Sequence, residues 1–209
     1  MKTEYMNPAD IERQSMEIIE RELGDTPHLS PLERVVAKRV IHTTADFDYA
    51  KNLRFSEHVC EAALDILKSE TVLVTDTQMA LSGISKPAAK ALGIEMHCFM
   101  ADADVAEAAR ERGCTRAVIA MEKAVRLFGN RPVIFVIGNA PTALLRIAEL
   151  TEEGLVRPAL VVGAPVGFVN IIQSKERLMA MDLPYIVAAG RKGGSTVAAA
   201  ICNALLYQV

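Results

Sequence analysis

Arg39 and His42 stand three residues apart in KRVIHTTADFDY, a spacing that puts both side chains on one face of a helix. An imidazole can give or take a proton near neutrality, and a cation beside it can hold an anionic ligand. Asp46 and Asp48 follow just past the expected helix end as carboxylate neighbours for a charged ring. Spacing leaves two readings open: proton transfer at His42, or a histidine that caps the last carbonyls of its helix. Three further stretches are rich in polar groups. VTDTQMALSGISK sets Thr75, Asp76, Thr77, Ser82, Gly83 and Lys86 at a strand end, dense enough to hold a ligand's oxygens, although a capped helix start has the same composition. GNAPTAL, which includes Asn139, follows the third apolar run with backbone N–H groups of residues 140–142 expected at a helix N-terminus, where carboxylates and phosphates bind. GRKGGSTVAAA sets Arg191 and Lys192 before Gly193, Gly194 and Ser195, an expected anion cradle that matches neither GxGxxG nor GxxxxGK[ST]. Lys175 and Glu176 read as a solvated charge pair near a helix start. Nothing has the pattern of a nucleophile elbow, a metal triad or a carboxylate pair. The inventory suits a polyanionic organic ligand handled with proton assistance and without covalent catalysis.

The elements that must position these residues follow from the apolar periodicity. After Pro8 a surface helix is expected to end near Gly24. A second, with Ser30 as N-cap, Pro31 in the first turn and Glu33 completing a capping box, should end at His42. From about residue 57 helices alternate with short β-branched runs at 71–76, 95–100, 132–139, 159–166 and 184–190. Near-continuous apolar strands joined by amphipathic helices predict a parallel sheet covered on both faces. The expected fold is therefore α/β, a single-domain three-layer sandwich over residues 1–209 with a mostly parallel sheet of about five strands. Residues 1–56 form its helical N-terminal part and 57–209 its α/β part. Ligands of such sheets bind beyond the carboxyl ends of the strands, so the loops after Asp76, Asn139, Val166 and Gly190 should line one rim.

Composition excludes several classes of function. With 51% hydrophobic and 23% charged residues, the chain of 209 residues can bury a full core. The net charge of −3 comes from 23 basic and 26 acidic residues spread along the chain, without a basic block for nucleic acid or lipid. Cys60, Cys98, Cys114 and Cys202 form no CxxC pair and read as reduced thiols, without metal. The polar N-terminal string MKTEYMNPADIERQ and the lack of any long apolar run point to a cytoplasmic protein off the membrane.

KRVIHTTADFDY, VTDTQMALSGISK, GNAPTAL, APVGFVNIIQSKE and GRKGGSTVAAAICNALLY, in that order over residues 11–207, resemble the precorrin-8 methylmutase family of cobalamin biosynthesis. The resemblance implies migration of a methyl group from C-11 to C-12 of a corrin precursor, a formal 1,5-sigmatropic shift giving a cobyrinic acid without any cofactor. His42 would be the proton donor to the macrocycle and Arg39 a substrate anchor. Ser15, in IERQSMEII, matches a substrate-contacting serine, and Arg116 and Lys175 match basic positions that pair with peripheral acetates and propionates. The rim residues Thr75, Ser82, Asn139, Arg191 and Ser195 complete the expected corrinoid contacts. NIIQ at 170–173 departs from the small residues usual before the same SKE. IHTTADFDY and GRKGGS look closer to the cobalt-containing branch, in which cobalt arrives inside the substrate. The family implies a homodimer with the site near the interface. Two other readings stand beside it: a non-catalytic tetrapyrrole carrier, and a nucleotide-binding α/β enzyme suggested only by GNAPT and GRKGGS.

Overall fold

A computed structural model of the protein describes residues 7–209, so residues 1–6 of the polar N-terminal string lie outside the described part. The chain runs α1 (Pro8–Leu23), α2 (Pro31–Thr44), α3 (Tyr49–Asn52), β1 (Leu53–Phe55), α4 (Val59–Ile66), β2 (Val72–Thr75), α5 (Gln78–Gly83) and α6 (Lys86–Ala91). It continues β3 (Glu95–His97), a 3-10 turn (Phe99–Ala101), α7 (Ala103–Glu111), α8 (Arg116–Phe128) and β4 (Val133–Ile137). The last third is α9 (Pro141–Glu152), β5 (Leu160–Gly163), α10 (Ile171–Met179), β6 (Tyr185–Ala188) and α11 (Ser195–Leu206).

The strands form one sheet in the order β1-β6-β5-β4-β2-β3. Five are parallel, and β1 pairs antiparallel with β6 in the register Leu53 to Ala188. Side chains along a strand alternate between its faces, and here both faces are buried. Leu73, Ile134, Val136, Leu160, Val162, Ile186 and Ala188 enter one core with α2, α4 and α11. Val72, Val74, Val133, Phe135, Ile137, Val161 and Val187 enter the other with α7, α8, α9 and α10. The expected sandwich is present, with a sixth strand. β1 lies within the stretch read as helical up to residue 56. The expected strand at 95–100 stops at His97 and gives way to the 3-10 turn.

Two close approaches set the layer that carries the site. A Cβ on Gly138 would lie 2.6 Å from the Ser195 Cα, so the β4 exit and the start of α11 touch backbone to backbone. A Cβ on Gly83 would lie 2.9 Å from that of Ala199, and the run Ala198, Ala199, Ala200 lets α11 pack against α2 and α5.

Candidate functional site

α2 begins with the expected capping box. The Ser30 hydroxyl accepts from the Glu33 N–H at 3.3 Å and the Glu33 carboxylate accepts from the Ser30 N–H at 2.7 Å. The helix ends at Thr44, two residues beyond His42. Thr43 and Thr44 donate their hydroxyls to the carbonyls of Arg39 (3.0 Å) and Val40 (2.8 Å). Ala45, left-handed at φ 54°, donates its N–H to the Ile41 carbonyl at 2.7 Å. Only the Ile41 carbonyl of the last four is taken in this way, and among the described residues the His42 ring makes no hydrogen bond to any carbonyl of its helix, so it does not act as the cap. The other three histidines have polar neighbours: His28 the Ala50 carbonyl at 3.0 Å, His58 the Glu57 carboxylate at 3.5 Å, His97 the Glu95 carboxylate at 3.4 Å. Among the described residues the exposed ring of His42 has none.

The ring instead lies where three concavities meet. One, of about 600 Å³, is lined by Glu12, Arg39, His42 and Tyr207. A second, of about 290 Å³, runs between α2, Gly83 and the α11 residues Thr196, Ala199 and Asn203. The third, of about 300 Å³, joins His42 to Ser15, Ile18 and Phe47. Arg39 donates to Glu12 at 2.9 Å and lies over the Tyr207 ring, 5.3 Å from its centroid. Ser15 donates its hydroxyl to the Ile11 carbonyl at 2.8 Å. The carboxylates expected beside His42 go elsewhere: Asp46 and Asp48 accept from the Lys192 ammonium at 2.6 and 2.7 Å.

The strand rim is more closed than its sequence suggests. In the sheet order, β2 stands between β3 and β4, so its connection and that of β4 depart in opposite directions and leave a crevice between their carboxyl ends. Asp76 fills it. Its fully buried carboxylate accepts the backbone N–H groups of Gly138 (2.8 Å), Asn139 (2.8 Å) and Ala140 (2.6 Å). Burial pushes this carboxyl up, opposed by the three N–H donors. Of the donors expected at residues 140–142, the Ala140 N–H is therefore taken by the chain itself and Pro141 has no N–H to offer.

The remaining candidates divide between the site's edge and places apart from it. Ser195 shares a hydroxyl bond of 2.8 Å with Thr77, the N-cap of α5, and precedes Thr196 of the second concavity. Exposed Ser82 adjoins Gly83. Thr75 is fully buried and donates to the Thr77 carbonyl at 3.0 Å, so it does not face a ligand. The Asn139 side chain is exposed at the rim, and Arg191 is exposed with its guanidinium over Phe168, 5.4 Å from the centroid. Arg116 opens α8 in the opposite helical layer, beside a Thr115–Thr142 hydroxyl contact of 2.8 Å. Lys175 corrects the expectation of a solvated charge pair. It is 1% exposed and donates to the carbonyls of Gly190 and Lys192, both at 2.9 Å. Its ammonium therefore has no open face for a substrate carboxylate, and burial lowers it to about 8.

A model of the precorrin-8X methylmutase family matches residues 10–208. The chain belongs to this family of isomerases. A cobalt-precorrin-8 methylmutase of Salmonella typhimurium is 44% identical over 208 residues, covering 97% of this chain and 96% of the relative. Its counterpart in Leptospira interrogans is 42% identical over 204 residues, covering 94% and 92%. The crystal structure of precorrin-8x methyl mutase from Thermus thermophilus superposes with a TM-score of 0.84 at 39% identity, covering 94% of this chain and 96% of that one.

Within this methylmutase fold, Glu12, Asn203 and Tyr207 border the His42 concavities and were not singled out from sequence. Asn203 and Tyr207 bring polar tips to the otherwise apolar end of α11, the one local sign that they face a cavity, whereas Glu12 sits among other polar residues of α1 and carries no such sign. Asn203 accepts from the Ser85 N–H at 2.8 Å and donates to the Gly83 carbonyl at 2.9 Å, fastening α11 to the α5–α6 turn. No cluster of three or more His, Cys, Asp or Glu that could hold a metal ion is found among the described residues, and no helix there is long and apolar enough to cross a membrane.

Proposed function

We propose that the protein moves a methyl group from C-11 to C-12 of a precorrin-8 corrinoid, with His42 as the proton donor. The observation that carries this is the His42 ring, exposed, without a polar partner among the described residues, and set where three concavities meet. The shift is an isomerisation, so what the protein must supply is orientation and help with a changing charge distribution. His42 gives its proton to ring C of the macrocycle, the π-system accepts the migrating methyl, and the same nitrogen recovers the proton. The imidazole ends as it began. Arg39, prepared by Glu12 and Tyr207, offers its guanidinium to a peripheral carboxylate, and Ser15 contacts the same face of the ring. Arg191, Ser195, Ser82 and Asn139 are proposed contacts along the rim. Arg116 contributes only if the peripheral chains reach the opposite helical layer, and Thr75 and Lys175 act beneath the surface.

We favour the cobalt-containing substrate, with cobalt carried in the corrinoid and no cofactor of the protein's own, on the IHTTADFDY and GRKGGS strings and on relatives that bear that name. Four free thiols support a cytoplasmic setting. The exposed stripe of Ile11 and Ile18 on α1, beside the His42 concavities, supports a homodimer whose interface borders the site; sedimentation velocity should give the mass of two chains, and a monomer at micromolar protein would refute it. The activity is tested by incubating the protein with cobalt-containing and metal-free precursors, then denaturing it and extracting the pigment. A new chromophore of unchanged mass, formed faster from the cobalt form, is the expected result. Recovery of unaltered precursor would favour the carrier reading.

A further inference from the structure

Lys192 lies on the loop between β6 and α11, while Asp46 and Asp48 lie just after α2, 146 and 144 residues away in sequence. The loop's backbone is held from below. Buried Lys175 takes the carbonyls of Gly190 and Lys192, the Gly194 N–H donates to the Ala164 carbonyl at 2.7 Å, and the Gly167 N–H donates to the Arg191 carbonyl at 3.2 Å. Gly193, at φ 159°, rests so close to Ala164 that a Cβ there would lie 2.3 Å from the Ala164 oxygen. From this fixed base the Lys192 ammonium reaches across to both carboxylates. The receiving segment is itself tied to the helix end: the Asp46 N–H donates to Thr44 and the Asp48 N–H to Asp46, at 3.2 and 3.0 Å. His42 is two residues upstream of that Thr44 hydroxyl.

We propose that Lys192 is a positioning residue: by gripping Asp46 and Asp48 it fixes the exit of α2, and with it the separation between His42 and the Arg191–Ser195 rim. This rests on the reading of His42 as the proton donor. The strap has the geometry for the task, since it joins the segment that follows His42 and α2 to the loop that carries Arg191 and leads into Ser195, and it needs no substrate to form. Partly exposed, with 44% of the Lys192 side chain accessible, it contributes little to global stability, so its removal leaves a folded protein. Misplacing a reacting group by an ångström costs up to about 100-fold in rate, and loss of the strap is expected to lower kcat/KM by about 10-fold or more on that scale.

The test is a cycle of Lys192→Met, Asp46→Asn/Asp48→Asn and all three together, followed by turnover and by amide hydrogen exchange. The strap requires both sets to lower kcat/KM, the triple variant to be no worse than either, Lys192→Arg to restore most of the rate, and exchange to quicken at residues 42–48 and 190–195. A lysine that holds substrate directly behaves otherwise: freeing it by Asp46→Asn/Asp48→Asn would lower KM. That result, additive losses, or unchanged exchange in Lys192→Met would overturn the proposal. If His42→Ala retained turnover, the functional reading would fail while the exchange result still reported on the strap.

Discussion

Asp76 accepts three backbone donors while fully buried, so its removal leaves three N–H groups without partners at the junction of β2, β4 and α9. At roughly 1 kcal/mol or more for each buried donor left unmet, Asp76→Ala should lower unfolding free energy by about 3 kcal/mol, read as an earlier midpoint in urea. Lys175 gives a pH signature. Its ammonium is lowered to about 8 by burial against an ordinary value of 10.5, so between those values the unfolded chain binds more protons than the folded one and stability rises with pH. The cost is fully present below about pH 8 and relieved above it. The stability of wild type relative to Lys175→Met should therefore increase from pH 8 to 10.5, and a flat difference would show that the lysine is not desolvated. In sequence Asp76 looked like a ligand group, and Lys175 like half of a solvated charge pair or, by the resemblance, a partner for a peripheral carboxylate. What makes Asp76 structural is a loop 62 residues away, and what buries Lys175 is the return of the 190–192 loop over it, and neither leaves a local mark. Arg39 and His42 were legible because helical spacing alone puts them together.

The elements carry a second set of consequences. Ser30→Ala removes one half of the α2 capping box and should cost about 1 kcal/mol of stability, measured by thermal unfolding, with turnover at room temperature unchanged. Gly138→Ala should do both kinds of harm: a Cβ 2.6 Å from the Ser195 Cα forces α11 away from β4, so stability falls and the Ser195–Thr77 contact at the site's edge opens. Arg39→Met removes a charge-assisted contact worth about 2 kcal/mol, and should raise KM by roughly 30-fold with a smaller change in kcat. The alternation of helices and β-branched runs made the parallel strands readable, because β2, β4, β5 and β6 bury both faces, while β3 at the edge is only partly covered. β1 escaped because three residues, Leu53, Arg54 and Phe55, show no period and owe their conformation to pairing with β6. The end of α2 escaped because threonine hydroxyls, which usually signal a turn, here return to the helix's own carbonyls and extend it.

At the scale of the molecule, two cores flank one sheet, and the switch-point crevice that such sheets usually offer to ligands is closed by Asp76. The open surface is displaced onto the α1–α2–α11 layer, where an N-terminal helical pair and the last helix of the chain meet. That displacement explains why the rim loops supply edges and a strap while His42, the proposed proton donor, sits on a helix outside the βα repeat. Family membership was readable because five motifs keep their order over nearly the whole chain, whereas the assembly of the site depends on contacts between residues 15–48 and 192–207 that no local pattern encodes. The central claim is that His42 supplies the proton, and the most direct test is single-turnover conversion by His42→Asn alongside corrinoid binding. A proton donor at His42 requires binding within a few-fold of wild type and a rate reduced by at least about 100-fold, the usual contribution of a positioned acid. Conversion at the wild-type rate would contradict it.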